Sequence, residues 1–97
     1  MKTYVILRRE GWESPEDLEA GAKRSSQVGD EEMSDQIRWI RSYVLAENGR
    51  IGTVCIYQAT SEEAIREHGE RANIPVDEVI EVADTVYVRP DPEPAST

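Results

Sequence analysis

His68 is the only histidine of the chain and Cys55 its only cysteine. Any nucleophile, general base or soft metal donor must therefore come from these two residues or from carboxylates. Imidazole titrates near neutral pH, which suits His68 to acid–base work or to a transition metal. The plain alternative is a half-buried helix residue whose ring is hydrogen-bonded over a sheet. A cysteine–histidine pair needs contact and an activated thiolate, whereas a mid-strand cysteine ordinarily packs as a small hydrophobe. Trp39, Arg41 and Tyr43 alternate along one predicted strand and so share a face. Two rings with a guanidinium between them line a pocket for a planar or anionic small molecule, unless the rings are core and Arg41 meets a carboxylate. The expected ligand-binding set is Trp39, Arg41, Tyr43 and His68, with His68 as the catalytic candidate. No metal site is expected; His68 and Cys55 are the only imidazole and thiolate donors. Arg8, Arg9 and Arg38 read as partners of the abundant acids. Asp30-Glu31-Glu32 with Asp35 lacks the spacing and the glycine of a calcium loop and reads as solvated surface.

These residues need elements to hold them. Thr3 to Arg9 predicts a first strand, apolar on both faces along Tyr4-Val5-Ile6-Leu7 and so central, with Gly11 ending it. Ser14-Pro15-Glu16-Asp17 starts a helix: Ser14 caps, Pro15 suits the first turn, and the acids complement the dipole. The helix presents a small face, Leu18, Gly21, Ala22 and Ser25. Gly29 to Asp35 reads as an acidic loop. Strands Ile37 to Ala46 and Arg50 to Ala59 flank Asn48-Gly49, a pair that tolerates the positive φ of a tight turn. A two-residue turn sets Glu47 opposite Arg50, Tyr43 opposite Val54, Ser42 opposite Cys55 and Arg41 opposite Ile56. Thr60-x-x-Glu63 offers a capping box for a second helix, about Glu62 to Ala72, with Ala64, Ile65, His68 and Ala72 on its inward stripe. Val79 to Val88 predicts the last strand.

The order β-α-β-β-α-β predicts an α+β, ferredoxin-like domain over residues 1–88: a four-stranded antiparallel sheet with two helices on one face. Residues 89–97 read as a proline-rich flexible tail. Both sheet faces are apolar, so a homodimer of the dimeric αβ-barrel type is expected to cover the bare one. The face of Trp39, Val54 and Ile56 is the richer in large apolar groups. It is expected to meet the helices, which would leave Cys55 and Tyr57 at the dimer contact.

The 97 residues carry 20 acids against 11 bases, a net charge of −9. That balance excludes a dominant basic footprint for nucleic acid and disfavours an anionic membrane surface. One cysteine excludes an internal disulfide and a multi-thiolate zinc cage. The N-terminal apolar run is too short for a signal peptide or membrane span, so a cytoplasmic protein is expected. No phosphate-cradling glycine loop is present, and no cofactor is expected.

Arg38-Trp-Ile-Arg-Ser-Tyr-Val44, Cys55-Ile-Tyr-Gln-Ala59, Ser61-Glu-Glu-Ala-Ile-Arg-Glu-His68 and Ile74-Pro-Val-Asp-Glu-Val-Ile-Glu-Val82 together resemble a family of small bacterial proteins. That family is mostly known as a domain of unknown function and includes a nickel-binding member. The resemblance spans about Thr3 to Val88 and implies a ferredoxin-like fold and a dimer. Many members carry histidine in the first strand or at the position of Arg41. Here Arg8, Arg9 and Arg41 stand there, and a guanidinium, always protonated, does not ligate metal.

The function expected is a small dimeric binding or regulatory domain with a small-ligand pocket between helices and sheet. The alternatives are a cofactor-free monooxygenase or isomerase, with His68 as base and Arg41 stabilising an enolate or carboxylate, and a nickel-binding protein.

Overall fold

The computed structural model describes residues 1–92 of the chain. The elements run β1 (Lys2–Trp12), α1 (Pro15–Gln27), β2 (Ile37–Glu47), β3 (Arg50–Ala59), α2 (Glu62–Ala72) and β4 (Glu78–Glu81). The four strands form one antiparallel sheet in the order β2-β3-β1-β4, so β1 is central, as its doubly apolar run requires. No described helix is long and apolar enough to cross a membrane.

Local chemistry accounts for the ends of the elements. Ser14 Oγ accepts from the Asp17 N–H at 3.2 Å, with Pro15 in the first turn. α2 is capped by Ser61, whose Oγ accepts from the Ala64 N–H at 3.1 Å; the expected cap, Thr60, lies one residue outside. α2 ends at Asn73 with φ 56°, and Ile74 N–H donates back to Gly69 O, a left-handed stop that asparagine tolerates. The hairpin turns on Asn48 (φ 52°) and Gly49 (φ 75°), both on the positive side that the β2–β3 twist demands.

Three expectations need correction. The acidic stretch after α1 is not an open loop: the chain continues through a π-helical turn, Val28–Glu32, in which Met33 N–H donates to Val28 O at 3.0 Å. The wider turn lets both Val28 and Met33 enter the core while the acids stay exposed. β4 stops at Glu81 rather than Val88. After the Val82 N–H bonds to Thr3 O, residues 83–92 run without a strand partner. Of the expected tail, residues 93–97 lie outside the described residues.

The third correction concerns the sheet faces. The hairpin register from Glu47–Arg50 up to Arg41–Ile56 is the one the turn dictates. Beyond it Ile40 has no partner, and Trp39 pairs with Tyr57. This bulge reverses the alternation of β2. Ile37 and Trp39 point to the side of Cys55 and Tyr57, while Arg41 and Tyr43 point to the side of Val54 and Ile56. The helices cover the former face, opposite to expectation. Tyr4, Ile6, Cys55, Tyr57, Ala59 and Ile37 pack there beneath Val28, Met33, Ala64, Ile65 and Ala72. On β1, Tyr4, Ile6 and Arg8 lie on this same face, opposite Tyr57, Cys55 and Thr53.

α2 approaches the chain after it closely. A Cβ on Gly69 would lie 2.6 Å from Val76 Cγ2, on a short branched side chain. Helix propensity alone would make Gly69→Ala a gain of about 1 kcal/mol. Overpacking costs roughly 1–3 kcal/mol. The variant is expected to lose stability on balance, read as a lower urea midpoint at unchanged slope.

Candidate functional site

Tyr57, in the middle of β3, gathers the polar side chains of the interior. Its hydroxyl lies 3.0 Å from Ser25 Oγ of α1, and either group can donate. Trp39 stacks on its ring at 5.9 Å between centroids and 4° between planes. The His68 ring is tilted against it at 5.5 Å, and the Arg8 guanidinium carbon lies 5.8 Å from its centroid. Parallel rings contribute roughly 0.5–1.5 kcal/mol beyond the area they bury. Burial pushes the Tyr57 hydroxyl up to about 12, and the Ser25 bond and the Arg8 charge only partly oppose this.

His68 is fully enclosed. Its Nε2 lies 2.9 Å from Ser25 O, and a carbonyl only accepts, so Nε2 carries the proton. Nδ1 is buried with no partner. A second proton on Nδ1 would create an unmatched charged donor. Burial accordingly lowers the His68 pKa; the Ser25 carbonyl opposes this and the Arg8 charge adds to it. Cys55 is buried as well, and its thiol donates to Thr53 Oγ1 at 3.3 Å. No hydrogen bond joins Cys55 to His68. Cys55 sits under the helices rather than on the outer face, and it behaves as a core residue.

Arg8 is the unexpected member. It is 1% exposed, and its Nε and Nη2 have no hydrogen-bond partner. Burying an ion without its counter-charge costs several kcal/mol. Arg9, next in the chain, turns outward: its N–H binds Asp77 and its guanidinium nears Glu47 at 4.0 Å. Arg38 donates to Gln58 Oε1 at 3.2 Å. The three arginines form no basic spot, and Arg8 is not the surface ion pair that the abundance of acids suggested.

Arg8, Ser25, Cys55 and Tyr57 form the buried floor of a small, partly open cavity between α1 and the sheet. Its volume is about 30 Å³, and its rim includes Trp12, Leu18, Trp39 and Ile74. Gly21 also lines it: a Cβ there would lie 2.8 Å from Trp12 Nε1, so only glycine lets the indole lie against α1. Trp39 further donates from Nε1 to Ser42 Oγ at 2.8 Å.

The expected set Trp39, Arg41, Tyr43 and His68 is thus divided. Trp39 and His68 flank Tyr57, although His68 does not line the cavity. Arg41 and Tyr43 lie on the outer face beside residues 82–91, where Arg41 is ion-paired with Asp91. Arg8, Ser25 and Tyr57 were missed. The cue for Arg8 was its place two residues after Ile6, which puts it on the face of Tyr4 and Ile6 whichever way that face turns. Ser25 carried no cue beyond its place on the small face of α1.

The family model described as "Nickel responsive protein SCO4226-like" matches residues 4–82. The chain belongs to this family. Among solved structures, the crystal structure of SCO4226 from Streptomyces coelicolor A3(2) superimposes with a TM-score of 0.67 at 18% identity. The match covers 87% of this chain and 99% of that one. At that identity the likeness establishes the fold. No curated protein matches.

The pKa of His68 has a consequence for stability. The unfolded ring binds a proton below about 6.5, the folded ring only at lower pH. Over that interval the unfolded state holds more protons, so stability falls as pH drops below 6.5 and is unaffected by this group above it. His68→Gln keeps a donor near the Nε2 position and cannot titrate. Urea unfolding at pH 7.5 and 5.5 is expected to show a drop for the native chain and a smaller one for the variant.

Proposed function

We propose that this family member is a small dimeric binding domain, a ferredoxin-like plait over residues 1–88 with a tail over 89–97, that holds a small molecule between α1 and the sheet. The observation that carries this reading is the cavity over Arg8, Ser25, Cys55 and Tyr57. Water occupies a cavity once it offers roughly 10–15 Å³, so about 30 Å³ suits a head group of a few atoms, with the rest of the ligand out over the rim. The surface the cavity exposes is almost wholly apolar, which suits an apolar group of the ligand. A screen of small metabolites by indole fluorescence tests the reading. A ligand of this site changes the emission of Trp12 and Trp39 and raises the melting temperature; Gly21→Val, which fills the approach to Trp12, is expected to weaken it at least tenfold.

Dimerisation draws support from the outer face. Tyr43 and Ile80 are 46% and 51% exposed there, beside the partly exposed Val5, Leu7, Val54 and Ile56. Val86, Tyr87 and Val88 add an exposed apolar run. A second copy would cover both. Light scattering at micromolar concentration is expected to give twice the chain mass for the native protein, and a shift towards the single chain for Ile80→Glu.

The enzymatic reading needs His68 and Arg41 on one substrate. They stand on opposite sides of the sheet, and the basic Nδ1 of His68 is enclosed, so the geometry does not favour it. Nickel, which the family description names, does not fit either. The lone pair of His68, on Nδ1, is fully enclosed, the Cys55 thiol is engaged with Thr53, and no group of three or more His, Cys, Asp or Glu residues comes together among the described residues. Nickel salts are expected to leave the melting temperature of the pure protein unchanged.

A further inference from the structure

We propose that Thr85–Arg89 of one copy adds as a fifth strand to the free edge of β2 in a second copy, so that two exchanged strands close the dimer. This rests on the dimeric reading and names the segment that makes the contact.

The run Thr85-Val86-Tyr87-Val88 is β-branched or aromatic throughout, the composition of a strand. It nevertheless pairs with nothing. Among the described residues, the last backbone-to-backbone hydrogen bond along the chain is Val82 N–H to Thr3 O, and 83–92 make none. Val86, Tyr87 and Val88 are 88%, 74% and 71% exposed, more than any other large apolar side chain described. An unpaired apolar run of this kind invites association unless another edge takes it up. Pro90 and Pro92 end the run, because proline donates no ladder hydrogen bond.

β2 has the complementary lack. It is an outermost strand, 11 residues long, with β3 as its one neighbour. β4, at the other end of the sheet, has four residues. Ile40 and Val44 of β2 are exposed as well. The signs of charge also match: β2 carries Arg38 and Arg41, and Asp84 and Asp91 flank the run. Arg41 already binds Asp91 within the chain, and exchange remakes that pair between copies.

Geometry makes the acceptor a second copy. The slot beyond β2 lies four strand spacings from β4, about 19 Å. The three residues from Val82 to Thr85 span at most about 11 Å. The run therefore cannot lie along the edge of its own β2. Folding back on β4 would need a tight turn at Ala83-Asp84, and neither residue has the positive φ of such a turn. A two-fold axis parallel to the strands reverses their order, so it sets β4 of one copy against β2 of the other. Each run then begins beside the edge it needs, twice per dimer.

Isotope-filtered NMR on dimers mixed from labelled and unlabelled full-length chain tests the exchange. Contacts are expected between Thr85–Arg89 of one copy and β2 of the other. Alternate amides of the run are expected to exchange with solvent at least tenfold more slowly in the dimer than after dilution to single chains. Val86→Pro and Tyr87→Pro remove amides that point to opposite sides of a strand. One of the two is expected to weaken dimerisation at least tenfold by light scattering. Neither residue pairs in the single chain, so the near-ultraviolet circular dichroism of both variants is expected to stay native. A dimer whose run exchanges freely, whose filtered contacts join the run to another strand, or whose mass survives both proline variants would overturn the exchange and leave the dimer standing. A native chain that stays single at micromolar concentration would overturn both. The filtered spectra need no variant, so the test survives if either proline variant fails to fold.

Discussion

The hydroxyl and ring of Tyr57 are the point through which the two layers of this small domain are tied. On one β3 side chain meet the Ser25 hydroxyl of α1, the His68 ring of α2, the Trp39 indole of the edge strand β2 and the Arg8 charge of the central strand β1. Most of the surrounding core is aliphatic and non-directional. This cluster is directional, and it sets where each helix sits along the sheet. Ser25 does double duty: its side chain meets Tyr57 while its carbonyl accepts a hydrogen bond from His68 Nε2–H. Both helices are therefore referenced to one residue of the sheet. Buried polar groups joined in this way specify one arrangement more sharply than apolar contacts do.

Much of the fold was legible in the residues. Asn48-Gly49 fixed a register that holds for seven of the ten pairs of the hairpin, because a two-residue turn admits only one pairing next to it. Ser14-Pro15 and the stripe of Ala64, Ile65, His68 and Ala72 placed the helices, because caps and a 3.6-residue period are local signals. The faces were illegible for an equally physical reason. Ile40 is a strong strand former, and nothing in Trp39-Ile40-Arg41 marks a residue without a partner. Alternation carried through it therefore grouped Trp39 with Val54 and Ile56, whereas it lies on the side of Cys55 and Tyr57. The π-helical turn escaped notice in the same way, since one inserted residue within acidic surface leaves no trace except that Val28 and Met33 are both apolar.

The site was half legible. Trp39 and His68 were singled out by residue type and do lie at the central cluster, each against the ring of Tyr57. Arg41 was chosen because arginines between aromatic residues suggest recognition; in the folded chain it meets Asp91 on the outer face. Arg8 was passed over because arginine in an acidic chain is ordinarily a solvated ion-pair partner. Only the parity of β1 contradicted that expectation, and parity tells which residues share a face without telling which face is covered.

The bulge at Ile40 makes β2 a strand with two allegiances. Its first part belongs to the layer beneath the helices through Trp39; its later part faces outward through Arg41 and Tyr43. A single residue without a cross-strand partner, Ile40, separates the two parts. One strand thus serves both sides of the sheet, with Trp39 at the cavity rim and Tyr43 on the outer face.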